Sequence, residues 1–224
     1  MPYHYEATSD FEISIKEVET LIDLARSDED NRNLFLKLAA VSSVTKFQVY
    51  IERVLASFRK ELNGIKSKNL STYMKMNSLR LSIESDNPLI GLTKHRNFTD
   101  EKKDKIINYL NSISYLTNDE HPINDKFIFN TKFPLGKTGQ QELIELFKQI
   151  DGNANPFSRF DEIHTESRFS FDTLNSVLNL RHGIIHQDRF QETDMTIQNN
   201  LSFIKELVKY IDEYLSTKIS EMTN

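Results

Sequence analysis

The stretch LNSVLNLRHGIIHQD, from Leu174 to Asp188, decides how this sequence is interpreted. Its apolar residues recur at helical spacing, which predicts one helix packed into a core. Arg181 lies three or four residues from the apolar residues on either side of it, and so falls on the apolar stripe. An unpaired charge at such a position is costly. The stripe consists of Leu174, Val177, Leu178, Ile184 and Ile185.

A line of uncharged polar residues runs beside this stripe, and a helix does not need such a line in order to fold. Its members are Asn175, Asn179, His182 and His186. The residues alone leave three interpretations open. Arg181 is a core arginine paired with an acid and His186 a helix-end histidine bonded to carbonyl groups, or both belong to a catalytic site. In a third interpretation, His182 and His186 bind a metal ion, because histidines four residues apart share one helix face. No third ligand for such a metal is obvious nearby.

Composition narrows the class of protein. A chain of 224 residues allows one domain of ordinary size. The net charge of -5 argues against nonspecific coating of nucleic acid, which depends on neutralising many phosphates. An enzyme that contacts a few phosphates at one site stays compatible with it. The absence of cysteine excludes disulfides and thiolate metal sites, and the few Gly and Pro residues favour helices.

The compartment is predicted from the absence of targeting signals. The first residues, MPYHYEATSDFEIS, form a polar lead with no basic start and no apolar run, so we predict no signal peptide. No apolar stretch approaches the roughly 20 residues that a bilayer span requires. We therefore expect a cytoplasmic protein that does not associate with membranes.

Two long helices frame the fold. From about Asn31 to Leu62 there is no Gly or Pro and the apolar residues keep helical steps, which predicts the longest and most central helix. Within it, Gln48 and Glu52 either reach solvent or partner Arg181. After the capping pair Thr193–Asp194, a heptad-like seam predicts a last helix that packs along a partner. Shorter helices are expected at about 13–25, 70–85, 99–116 and 140–150.

The middle of the chain is less regular. We expect one all-α domain over residues 1–224, with an irregular insertion at about 88–156. Lys94 and Arg96 form a basic patch there, either a solvated loop or a phosphate contact. Residues 126–133, KFIFNTKF, alternate as a hairpin does, and their interleaved basic and aromatic residues also suit RNA. Lys94, Arg96 and Lys132 are accordingly the candidate substrate-binding residues.

Two parts of the sequence resemble the HEPN superfamily, in particular the prokaryotic HEPN ribonucleases of toxin and anti-phage defence systems. One is the early stretch LFLKLAAVSSVTKFQVYIERVL, from Leu34 to Leu55. The other is the RHGIIH sequence, in which Arg181 and His186 match the family's arginine, four to six residues, then histidine signature. His182 takes the place of the polar residue that commonly follows the arginine. The resemblance implies an all-α, HEPN-like helical bundle.

The resemblance also implies an activity. Family members cleave RNA without a metal or cofactor, by attack of the 2′-hydroxyl on the adjacent phosphate, in a cleft shared by two copies. The resemblance implies that Arg181 and His186 are the catalytic residues. It also implies three partners, which are RNA, a second copy of the chain, and an antitoxin or regulatory protein. The alternative is a non-catalytic HEPN module for dimerisation or nucleotide binding, although such members usually lack the arginine or the histidine. The supporting residues would be His182, Asn179, Glu52 and Gln48.

Helical geometry adds a constraint to this site. Five residues at 100° each place Arg181 and His186 roughly 140° apart around a straight helix. The two side chains then cannot converge on one phosphate. Either the helix ends or bends near Gly183, or a second chain completes the site.

Overall fold

The computed structural model describes residues 3–85, 99–134, 139–164, 169–187 and 190–223. Helices dominate these ranges, and within them no β-strand forms. Lys66 and Pro122 make an isolated antiparallel bridge. The prediction of an all-α fold is confirmed.

The helices follow in chain order, and two short 3₁₀ turns, Ser67–Asn69 and Ser114–Leu116, lie between them. They are α1 (Glu6–Ser14), α2 (Lys16–Ser27), α3 (Arg32–Glu61), α4 (Thr72–Ser85), α5 (Asp100–Ser112), α6 (Gly139–Asp151), α7 (Ser158–Ile163), α8 (Thr173–Gln187) and α9 (Asp194–Thr223).

Helix α3 is the centre of the bundle, as predicted. It contacts α1, α2, α8 and α9, and it buries residues such as Phe47, Ile51 and Val54 completely. One 18-residue window of α3 has a mean hydropathy of 1.3, so by length and composition alone this helix could span a membrane. The sequence prediction that no apolar stretch approaches the length of a bilayer span is therefore wrong for α3. The packing of α3 among four other helices accounts for its apolar character.

The last helix, α9, packs along α3 and also contacts α1, α2 and α8. The Thr193 hydroxyl accepts a hydrogen bond from the backbone N–H of Thr196 at 3.2 Å, which caps α9 as the sequence predicts. The Tyr50 hydroxyl donates to the Val208 carbonyl at 3.0 Å and ties α3 to α9. The heptad-like seam of α9 therefore has the partner helix that it requires.

The first helix is a departure from the sequence prediction. Instead of one helix over 13–25, the chain forms α1 within the expected polar lead, then α2. The buried carboxylate of Asp212 on α9 accepts the backbone N–H of His4 at 3.0 Å and of Tyr5 at 3.1 Å, and the Thr8 hydroxyl at 2.6 Å. A carboxylate is favourable at a helix N-terminus. The group that starts α1 thus lies about 200 residues away in sequence, beyond any local pattern.

Residues 124–133 form what we call the strapped segment, and the predicted hairpin is wrong. No strand occurs there. The Arg59 guanidinium donates to the carbonyls of Phe127 at 2.7 Å and Asn124 at 2.6 Å, and burial lowers its pKa below the ordinary value. The Ser78 hydroxyl accepts the N–H of Ile128 at 2.9 Å. Helix side chains therefore bond the backbone groups that a second strand would have bonded.

The alternation that suggested a hairpin has a different cause. Phe127, Phe129 and Phe133 are all buried, and steps of two and four residues place them on the same side of an extended chain. The Phe129 ring lies 5.6 Å from that of Phe58, and the Phe133 ring 6.1 Å from that of Phe47. The strapped segment thus packs its aromatic side onto α3.

Candidate active site

The first half of α8 is fixed against α6. Leu174, Val177 and Leu178 are buried. Gln140 accepts a hydrogen bond from the Asn175 amide and donates to the Asp172 carboxylate, the latter at 2.8 Å. A methyl group at Gly139 would overlap with Cδ1 of Leu178, so glycine allows the close approach of the two helices. This anchoring sets the position of the residues one turn further along α8.

The second half of α8 emerges from the core. Arg181 and His182 are half-buried, whereas Ile185 and His186 are exposed. The helix continues through Gly183 to Gln187, so it does not end near Gly183. Arg181 and His186 therefore lie on different sides of one continuous helix.

Arg181 has an unsatisfied polar group. Its Nε atom is buried and has no hydrogen-bond partner within the described ranges. Leaving a buried donor unsatisfied costs about 1–3 kcal/mol, and more for a charged group. No ion pair between Arg181 and an acid occurs among the described residues, so the interpretation of Arg181 as a core arginine paired with an acid has no support there. Within the described ranges this Nε–H donor is therefore left for an external acceptor, such as an oxygen atom of a bound anion.

His182 and His186 form a pair on the outer side of α8. Their ring centroids lie 4.5 Å apart, and the rings are inclined at 44°. Asn179, one turn earlier than His182, is exposed and lies on the same side of the helix. Imidazoles exchange protons near neutral pH, so this pair can act as a general acid and base. Among the residues that the structure describes, no group of three His, Asp or Glu residues could hold a metal ion.

Gln48 and Glu52 point to the strapped segment. The Gln48 amide donates to the Phe133 carbonyl at 2.9 Å, and the Glu52 carboxylate accepts the Phe133 N–H at 3.3 Å. Phe133 lies beside Gly139, which in turn lies against Leu178 of α8. The two polar residues of α3 thus hold a segment that supports α8, and the hydrogen bonds that they form go to Phe133. Their supporting role in the site stays a prediction.

Comparison with known protein families matches the chain to one of them. The model of the RiboL-PSP-HEPN family matches residues 9–217. The chain belongs to the RiboL-PSP-HEPN family. The predicted HEPN assignment is therefore confirmed, and the matched range includes α8 with Arg181 and His186. No curated protein and no solved structure matches the chain.

The candidate substrate-binding residues of this RiboL-PSP-HEPN chain divide into two groups. Lys94 and Arg96 lie outside the described residues. Lys132 is exposed on the strapped segment, with its Nζ atom 3.6 Å from the Glu52 carboxylate. Lys132 therefore lies close to the clamp around Phe133, the name used for the Gln48 and Glu52 hydrogen bonds to its backbone, and its side chain is exposed to solvent.

Sequence reasoning missed the residues that position α8 in this HEPN chain. Gln140 bonds Asn175, and Gly139 allows Leu178 to approach. Both residues lie at the start of α6, where the sequence indicates only that a helix begins. Their partners are about 35 to 39 residues away, so only the packed structure shows the connection.

Proposed function

We propose that this chain is a metal-independent endoribonuclease that cleaves RNA by attack of the 2′-hydroxyl on the adjacent phosphate. The observation that carries the proposal is the buried Arg181 Nε, which has no partner in the described residues, on the same helix as the His182–His186 pair. Membership of the HEPN family supports it. The net charge of -5 agrees with a site that contacts few phosphates.

Each residue has a defined part in the proposed reaction. Arg181 binds the non-bridging phosphate oxygens, where negative charge builds up in the transition state. A neutral imidazole of the His182–His186 pair takes the proton of the 2′-hydroxyl. The O2′ atom then bonds to phosphorus and the P–O5′ bond breaks. A protonated imidazole donates its proton to O5′, and the products are a 2′,3′-cyclic phosphate and a 5′-hydroxyl.

A second copy of the chain completes the proposed site. Because α8 is continuous, Arg181 of one copy and His186 of the other are the pair that can face one phosphate. The Arg32 guanidinium binds the Asp194 carboxylate at 2.7 Å, so the starts of α3 and α9 meet at one end of the bundle, and α8 finishes seven residues before α9 begins. Exposed apolar side chains occur at this end and suit contact with a second copy. They are Leu34, Leu38, Ile185 and Met195.

The biological role follows from the family resemblance. We propose a cytoplasmic toxin or anti-phage defence ribonuclease that does not bind membranes. Uncontrolled RNA cleavage harms the host cell, so an antitoxin or regulatory protein is proposed as a further partner.

The test is cleavage of labelled RNA by the purified protein in the presence of EDTA. We expect cleavage that leaves 2′,3′-cyclic phosphate ends and is lost in Arg181→Ala and His186→Ala. The matched controls are Arg53→Ala and His121→Ala, which change the same residue types elsewhere on the surface. Loss of activity in EDTA would favour the metal site. Normal dimerisation without cleavage of any RNA would favour the non-catalytic scaffold.

Mixing the two inactive variants tests whether the site is shared. Half of the dimers in an equal mixture are mixed, and each mixed dimer has one site with both residues intact. We expect about one quarter of wild-type activity to return. A mixture that stays inactive after subunit exchange would contradict a site divided between two copies.

A further inference from the structure

A cavity of about 480 Å³ opens between α4, the strapped segment and α6. This volume lies in the range of small-ligand sites. Its charged lining residues balance in number, since there are two cations, Arg80 and Lys132, and two acids, Glu142 and Glu145. The other polar lining residues are mostly amides, and Tyr73 adds an aromatic ring. The amide residues are Asn77, Asn130, Gln141 and Gln149.

Some of these amides build the wall of the cavity. The buried Gln149 side chain accepts the N–H of Asn130 at 2.9 Å and donates to its carbonyl at 2.7 Å. The Asn77 amide oxygen accepts a hydrogen bond from Arg80 at 3.1 Å. These bonds fix the positions of Asn130 and Arg80 before any ligand binds.

Two other amides keep groups free for a ligand. The Gln141 amide nitrogen donates to Glu145 at 3.2 Å, and its oxygen has no partner in the described chain. The Asn130 amide oxygen accepts the N–H of Lys132 at 3.0 Å, and its nitrogen likewise has no partner there. The cavity thus offers one acceptor and one donor, the combination that reads the edge of a nucleobase.

Tyr73 gives the cavity a fixed aromatic surface. Gly152, with φ of +80°, packs against it so closely that a methyl group there would lie 3.0 Å from Cγ of Tyr73. Tyr73 is still 40% exposed. A ring held in place loses little entropy when a base stacks on it, so it is a suitable stacking surface.

The cavity is connected to the candidate active site through Phe133. Lys132 and Pro134, which line the cavity, flank this residue. The Phe133 ring lies 3.9 Å from the position of a methyl group at Gly139, which adjoins Leu178. Leu178 is one helical turn before Arg181 and His182. The cavity and the candidate active site are therefore supported by the same packed residues.

We propose that this cavity binds one unpaired base of the RNA substrate and so selects the position of cleavage. The proposal rests on the ribonuclease function proposed above. An uncharged base fits the neutral lining, whereas a phosphate would meet Glu142 and Glu145. The base stacks on Tyr73 and bonds Asn130 and Gln141 through its edge, while Lys132 lies at the opening beside the backbone phosphate.

The test uses two readouts on the full chain. Affinity is measured by titration calorimetry with a 2′-O-methyl RNA, which lacks the attacking hydroxyl, and cleavage positions are mapped on an RNA of mixed sequence. Tyr73→Leu keeps an apolar side chain on Gly152 but removes the stacking surface, and Gln141→Ala removes the acceptor. We expect each to weaken binding about tenfold and to broaden the set of cleaved positions. The control Thr217→Ala, in a separate cavity beside α9, keeps both the affinity and the cleavage positions.

The outcomes separate the two proposals. If the wild type cleaves RNA and both variants keep its affinity and its cleavage positions, the base-binding cavity is wrong and the ribonuclease stands. If the wild type cleaves nothing but binds the 2′-O-methyl strand with a dependence on Tyr73, the ribonuclease is wrong and the cavity stands. If it neither binds nor cleaves, both are wrong.

Discussion

Two regions of this molecule differ in whether their polar side chains form hydrogen bonds within the fold. Around the strapped segment, the Gln149 amide bonds both the N–H and the carbonyl of Asn130. Arg59 likewise bonds two carbonyls of that segment. On α8, the buried Nε of Arg181 bonds nothing within the described residues, and His186 faces outward with His182 as its ring neighbour.

The difference identifies which polar residues the fold needs. Buried polar groups in native proteins are nearly always hydrogen-bonded, and an exception calls for an explanation. Side chains of the first region replace a missing strand, so removing one should lower the free energy of unfolding. In the second region, the buried Nε of Arg181 has no partner within the described residues, and departures from local consistency of this kind tend to occur at functional sites.

The largest expected effect is on catalysis, in Arg181→Met. Cleavage should fall about a thousandfold, because the charge that stabilises the transition state is lost. The free energy of unfolding should stay the same or rise by about 1 kcal/mol, since methionine fills the site without an unsatisfied donor. Urea denaturation and RNA cleavage measure the two quantities. A destabilisation of more than about 2 kcal/mol would show that Arg181 has a structural partner.

The second expected effect is on stability, in Arg59→Ala. The free energy of unfolding should fall by about 1–3 kcal/mol, because the partly buried Phe127 carbonyl and the exposed Asn124 carbonyl lose charge-assisted hydrogen bonds. Cleavage per folded molecule should not change, since Arg59 acts on Phe127 and Asn124. Arg53→Ala, in which an exposed arginine is removed, is the control and should change stability by less than about 0.5 kcal/mol. Equal destabilisation by both variants would contradict the role given to Arg59.

The smallest expected effects are on the clamp around Phe133. Gln48→Leu leaves the Phe133 carbonyl unsatisfied and should cost about 1–2 kcal/mol. Glu52→Gln retains an acceptor for the Phe133 N–H and should cost about 0.5 kcal/mol or less. Both should keep most of their cleavage activity at temperatures where they are folded. A hundredfold loss of cleavage in Glu52→Gln, with unchanged stability, would instead make Glu52 a direct partner of Arg181.

Local pattern was sufficient wherever burial follows a helical period. The predicted long helix from about Asn31 to Leu62 is α3, and the capping pair Thr193–Asp194 starts α9. The same reasoning failed for α1, because the Asp212 carboxylate that caps it belongs to the far end of the chain. It failed for the strapped segment because an alternation of aromatic residues indicates an extended chain but not the source of its hydrogen bonds.

The candidate site divides in the same way. The Arg181–His186 spacing, the family and the angular offset around the helix follow from the sequence, because a regular helix fixes the direction of each side chain. Only the tertiary structure decided that α8 continues through Gly183, that the Arg181 Nε is left unsatisfied, and that Gln48 and Glu52 bond Phe133. These facts depend on which distant segments pack together, and no local period encodes that.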